Sequence, residues 1–284
     1  MTATALLVSP NCLALSRRSL HQLRASLERD TGLQTAAYLQ EAGFAGGEAV
    51  YQAYRGWLAG RYGIEGGMST TGALTRWFRD QFGQAELAAE TKGGANAYVA
   101  LADLAAQIPA GSQGLICLPY LSGERTPIND PLARGIFAGI TLSHTRAHMY
   151  RAALEATAYG VRDNLDVMAE MGAEPKRIVA VGGGTQNPLW LQIVSDVTGK
   201  AQIVPERTIG ASYGDAFLAG VATGIIPDRN SINRDWVKVA RTIEPDPKMA
   251  AIYEPYHRIY KSLYQSTRDD MHRLAELGQA AGID

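Results

Sequence analysis

Cysteine is nearly absent: Cys12 and Cys117 are the only two in 284 residues. They stand too far apart for a metal-binding pair, and they give no disulfide framework, which suits a reducing compartment. Neither sign of charge is in excess, with 27 Lys and Arg against 28 Asp and Glu for a formal charge of -1. No global field therefore draws the chain to nucleic acid or anionic lipid. Long apolar runs are also missing, and none approaches the ~20 residues that span a bilayer. The start, MTATALLVSP, has a short apolar stretch without the basic residues that open a secretory signal. These absences point to a cytoplasmic protein that binds neither nucleic acid nor membrane. What is present is apolar side chains: at 46% they suffice for a substantial core.

The coarse pattern predicts one α/β domain. Residues 1–57 show no strand-rich meander, and Ser16 to Arg29 spaces Leu20, Leu23 and Leu27 along one helical face. A glycine-rich loop, Ile64 to Gly72, leads into a helix over 73–82 that places Leu74, Trp77, Phe78 and Phe82 together. A helix over 96–108 and a strand over 114–118 follow. The loop 119–131 is stiffened by three prolines and carries Glu124, Arg125, Asn129 and Asp130. A long helix over 145–171 directs Leu154, Val161, Leu165 and Met168 to a core, and Gly172 and Pro175 end it. Strand 177–181, helix 188–198, strand 201–204 and helix 211–224 then alternate. The last helix, 248–277, shows an apolar stripe of Ile252, Tyr256, Ile259, Tyr260, Leu263 and Tyr264.

The stretch from Arg177 to Gln192, RIVAVGGGTQNPLWLQ, has the layout of an anion site. Glycines at a strand-to-helix turn let backbone approach a ligand, and the helix opening presents unpaired N–H groups. Asn187 is the expected N-cap and Pro188 the first helical residue. A tight turn with no ligand explains three glycines equally well. Two common nucleotide motifs do not fit: Asn187 replaces the third glycine of a dinucleotide fingerprint, and no Gly-Lys-Ser/Thr triplet of a P-loop follows.

Other polar pairs carry less. His144 and His148 share a helical spacing, but no glutamate lies between them and no third ligand is evident, so no metal site is assigned. Glu124 and Asp130 could do acid–base work, although ion pairs with Arg125 or Arg134 are the plainer expectation.

Several stretches together resemble the carboxyl-terminal domain of the FGGY carbohydrate kinases, closest to the xylulose kinase branch. The strongest is Gly135 to Glu155, GIFAGITLSHTRAHMYRAALE, which matches the family's second signature at Gly135, Phe137, Gly139, Ile140, His148, Met149, Ala152, Ala153, Leu154 and Glu155. Leu118 to Pro127 and Asn129 to Gly135 resemble the loop before it. Gly182 to Gln192 is similar to the family's adenosine-binding turn, and Gly210 to Ala219 to the family helix that packs beside it. The resemblance runs from about residue 59 to the last helix.

The resemblance implies an α/β, actin-like ATPase (ribonuclease H-like) fold, incomplete at its amino-terminal strands, with residues 59–284 as the nucleotide-binding domain and 1–58 unassigned. It implies ATP and Mg²⁺ as cofactors, with Gly72, Gly183, Gly184 and Asn187 lining the nucleotide pocket. Members of the family also carry an earlier domain with a phosphate turn, most sugar contacts and a catalytic aspartate; none of these is readable here. Residues 1–58 hold no Gly-Thr-Ser triplet, and Asp215, within a small-residue helix, is not assigned as a base. The expectation is therefore a nucleotide-binding half of a sugar kinase with no catalytic residue of its own. Its expected partners are ATP or ADP, a sugar only alongside an amino-terminal half, and either a complementing chain or a second copy. The alternative is a non-catalytic remnant that binds nucleotide or serves only in interactions.

Overall fold

The computed structural model describes residues 6–9, 12–14 and 66–282. The chain divides into two compact units, Met1–Gly63 with Gly210–Val237, and Ile64–Ile209 with Lys238–Asp284.

In the first unit, β1 (Leu6–Ser9) and β2 (Cys12–Ala14) pair antiparallel. Strands of four and three residues are too short for alternation to show, and a single such ladder is not a strand-rich meander. The predicted helix from Ser16 to Arg29 lies outside the described residues. Helix α6 (Ala211–Ala222) belongs to this unit. Its Tyr213 and Phe217 rings pack on Trp236 at 4.8 and 5.2 Å between centroids.

The second unit is built around one helix. Helices α1 (Thr71–Phe82), α2 (Gln84–Thr91) and α3 (Ala97–Ala106) come first, then β3 (Ile116–Leu118) and β4 (Ile136–Ala138), an antiparallel pair. Helix α4 (Arg146–Glu170) follows, and every residue from Tyr150 to Gly160 is buried. A helix buried on all sides is a central one, not an amphipathic surface helix. Its alanines, 152, 153, 156 and 158, let neighbours approach closely. Of its expected core residues, Leu154 is fully buried, whereas Val161, Leu165 and Met168 are only half-buried near the end of the helix.

Next comes β5 (Ile178–Val179), then α5 (Pro188–Thr198), which packs on α4, and β6 (Gln202–Pro205), parallel to β5. The edge strand β7 (Val239–Ile243) runs antiparallel to β6. The unit ends in α7 (Pro247–Ala280), whose N-cap Asp246 accepts from Lys248 N at 2.9 Å.

Most of the predicted stripe on α7 faces the core: Tyr260 is buried, and Tyr256, Leu263 and Tyr264 pack against the core. Ile252 and Ile259 are exposed, while Tyr253, His257, Tyr260, Met271 and Ala275 are buried. The cause is a polar core: Tyr253 Oη accepts from Arg151, His257 pairs with Asp163, and Tyr260 bonds Tyr120. Amphipathic rings with a polar tip satisfy such a core where isoleucine cannot.

Candidate functional site

The glycine turn follows the carboxyl end of β5, where open α/β sheets hold their ligands. Ala180 N extends the ladder to Ile203 O at 2.8 Å, and Gly182 N reaches Thr208 O at 2.7 Å. Gly182 then takes φ 87°, a conformation that glycine supplies without strain. Gly183–Gln186 make one 3-10 turn, closed by Thr185 N and Thr185 Oγ1, both donating to Gly182 O. Gly183 is exposed, and a Cβ built there meets no atom within 4 Å. A Cβ on Gly184 would lie 3.2 Å from the Trp190 ring, so that glycine packs against its own helix.

Asn187 caps α5: its Oδ1 accepts from Trp190 N at 3.1 Å, and Pro188 occupies the first helical position. The capping bond uses the amide oxygen as acceptor, and the Nδ2 group of Asn187 is the donor it could offer a ligand. Trp190 also donates its indole N–H to Thr157 Oγ1 of α4 at 2.6 Å.

Gly72 is the second residue of α1 and is exposed, with no atom within 4 Å of an added Cβ. The side chain of the N-cap residue, Thr70, gives α1 no capping bond; its hydroxyl donates to Pro119 O instead. The first N–H groups of α1 are thus left for another acceptor. Both stretches rest on α4: a Cβ on Gly160 would strike Met68, a Cβ on Gly66 would strike Asn164, and Thr157 holds Trp190. Positions 157, 160 and 164 follow at i, i+3 and i+7, so the two anchors share one side of that helix.

The histidine pair is structural. Thr145 N donates to His148 Nδ1 and Thr141 N to His144 Nδ1, at 3.1 and 2.9 Å. A backbone N–H can only donate, so both rings carry their proton on Nε2, which meets Gln113 Oε1 and Gln113 O. His148 with Thr145 forms a capping box at the start of α4. Burial lowers the His148 pKa, and nearby His144 adds to this.

Glu124 and Asp130 make no ion pair with Arg125 or Arg134, contrary to expectation. Glu124 accepts from Ser69 N and Arg125 N, at 2.7 and 2.8 Å. Asp130 accepts from Tyr264 and His272, both at 2.8 Å. Burial raises the Asp130 pKa, but the bonds from His272, Tyr264 and Leu132 N outweigh it and leave it below the usual range. These carboxylates tie loops to α1 and α7, so the geometry gives them structural work.

Glu155 is 1% exposed and accepts from Gly111 N, Ser112 Oγ, Arg151 Nε and Tyr253 Oη, at 2.8 to 3.2 Å. Burial pushes its carboxyl above the usual range despite Arg151. Among the described residues, Asp163, Asp166 and His257 also cluster. His257 lies 2.7 Å from Asp163, and Lys261 and Arg162 stand 3.9 Å from the two carboxylates, so cationic side chains already serve this group. Asp215 is exposed on α6.

A model of the FGGY family of carbohydrate kinases, C-terminal domain, matches residues 34–223. The chain belongs to the FGGY family. It is 34% identical over 166 residues to a xylulose kinase of Staphylococcus epidermidis, covering 58% of this chain and 34% of that protein. It is 36% identical over 171 residues to a gluconokinase of Bacillus subtilis, covering 60% and 33%. The crystal structure of xylulose kinase from Rhodospirillum rubrum superposes with a TM-score of 0.60 at 33% identity, over 72% of this chain and 40% of that one. The chain thus spans about a third of the length of the curated relatives it matches. The FGGY match includes the turn at 182–187, Gly72 and the whole of α4.

Sequence reasoning found the turn and its cap. It missed Thr157, Thr208 and Arg241, which hold the turn from distant positions. No local signal marks such partners.

Proposed function

We propose that this chain supplies the nucleotide-binding half of an ATP-dependent sugar kinase, xylulokinase-like in acting on a pentulose or related sugar. In this reading residues 59–284 form the nucleotide domain, with an actin-like fold and a cytoplasmic location. The observation that carries it is the open turn: Gly183 presents bare backbone at the carboxyl end of a strand, with free space where a side chain would stand. A nucleotide needs that close approach. Gly183, Gly184 and the Asn187 Nδ2 group would hold one side of ATP, and Gly72 at the uncapped start of α1 another.

Phosphoryl transfer depends on positioning and charge neutralisation, with a base orienting the attacking hydroxyl. ATP supplies the transferred phosphoryl group; this chain's residues bind and orient it. The turn does not fit Mg²⁺, because Gly182 to Asn187 include no carboxylate. In this reading the base and most of the sugar contacts come from an amino-terminal half. Similar identity to a xylulose kinase and a gluconokinase supports a sugar kinase without naming the sugar.

The purified 284-residue chain is assayed with ATP and xylulose, gluconate or glycerol, alone and mixed with the amino-terminal half of a xylulose kinase. Turnover only in the mixture is expected. Turnover by the chain alone contradicts the proposal, and ADP binding without turnover in either case favours a non-catalytic nucleotide-binding remnant.

A further inference from the structure

Arg241 stands mid-way along β7, opposite Val204, and is exposed. It donates from one guanidinium nitrogen to the Thr185 carbonyl at 3.0 Å. That carbonyl belongs to the 3-10 turn of Gly183–Gln186. The turn is fixed at its entry by Gly182 N on Thr208 O, and at its exit by Asn187 and Trp190. Between these anchors, Thr185 N and Oγ1 bond only within the turn, to Gly182. The Thr185 carbonyl is where the turn is held from across the sheet.

We propose that Arg241 is a positioning residue for the nucleotide: through the Thr185 carbonyl it fixes the turn that presents the backbone of Gly183 and Gly184. This rests on the reading of that turn as the nucleotide site. A cation at the carbonyl end of a helical turn is also electrostatically favourable. Three flexible residues, Gly182 to Gly184, precede the held carbonyl, and without this tie their conformational freedom opposes binding. Because Arg241 acts through backbone, it serves the whole nucleotide and not its phosphates alone.

The test titrates ADP and adenosine separately into the wild type, Arg241→Ala and Arg241→Lys, with amide exchange measured across 182–187 in the ligand-free protein. In Arg241→Ala both ligands weaken by about three- to tenfold, the size expected for losing one hydrogen bond that shapes a binding surface. Lysine recovers most of the loss, and exchange at the turn speeds up while α4 is unchanged. Unchanged exchange and unchanged affinity overturn the proposal. ADP weakened with adenosine unaffected also overturns it, since Arg241 then touches phosphate directly. Exchange is read without ligand, so a wild type that binds neither nucleotide defeats the site reading separately.

Discussion

The indole N–H of Trp190 and the hydroxyl of Thr157 meet at 2.6 Å, joining the helix behind the glycine turn to the central helix of the second unit. Thr157 is 1% exposed, and its hydroxyl also donates to Leu154 O at 2.7 Å. The hydroxyl therefore both donates and accepts, and the Trp190 ring it holds is the floor beneath Gly184.

Replacing Thr157 with Val keeps the shape but leaves the Trp190 N–H without its acceptor. The expected cost is about 1–2 kcal/mol of stability, read from urea unfolding, together with weaker ADP binding. Loss of stability with ADP affinity unchanged would show that the floor does not shape the turn.

His148 makes the fold sensitive to acid. Its Nδ1 must stay unprotonated to accept from Thr145 N, and its pKa is lowered by burial. The unfolded chain binds a proton near the ordinary imidazole value of about 6.5, while the folded chain resists it. The contribution is thus complete above that value and is lost as pH falls through the lower folded one. Denaturant midpoints at pH 7.5 and 5.5 should fall further in the wild type than in His148→Gln, which keeps a capping-box side chain but cannot titrate. Equal falls would place the acid sensitivity elsewhere.

Glu155 and Arg151 form a pair, with their shared atoms 2.8 Å apart and the two side chains 2% and 9% exposed. Glu155→Ala leaves Arg151 buried without its partner and should cost roughly 3–5 kcal/mol. The paired Arg151→Met, Glu155→Leu variant should recover part of it, since removing both charges removes their desolvation penalty while Gly111 N and Ser112 Oγ lose their acceptor. Thermal or denaturant unfolding of the three proteins checks this; a double variant less stable than Glu155→Ala refutes it.

Much of the fold is legible where periodicity and caps coincide. Helix α5 occupies the predicted 188–198 because Asn187 and Pro188 mark its start. Helix α4 and helix α7 differ from expectation by one to three residues at their ends. Helix α2 escaped notice, since QAELAAET alternates small and charged residues without an apolar stripe. Strand β7 escaped too: VARTI is an edge strand with four exposed residues, so burial imposes no alternation on it. On α7, Tyr256, Tyr260, Leu263 and Tyr264 were legible as the core side, whereas Ile252 and Ile259 are exposed, and Tyr253 and His257 are buried through polar partners that only the folded chain assembles. At the site, the glycines and Asn187 are visible in sequence because they act locally. Thr157 and Arg241 act across 33 and 56 residues, and nothing in their neighbours announces it.

The proposed function depends on the turn at Gly183 serving as a nucleotide shelf. Calorimetric titration of ADP into the wild type and into Gly183→Val tests it most directly. Space for a side chain is free in the ligand-free protein, so the variant should fold with unchanged stability. Measurable heat is expected for the wild type and none for Gly183→Val. Equal ADP binding by both proteins would contradict it.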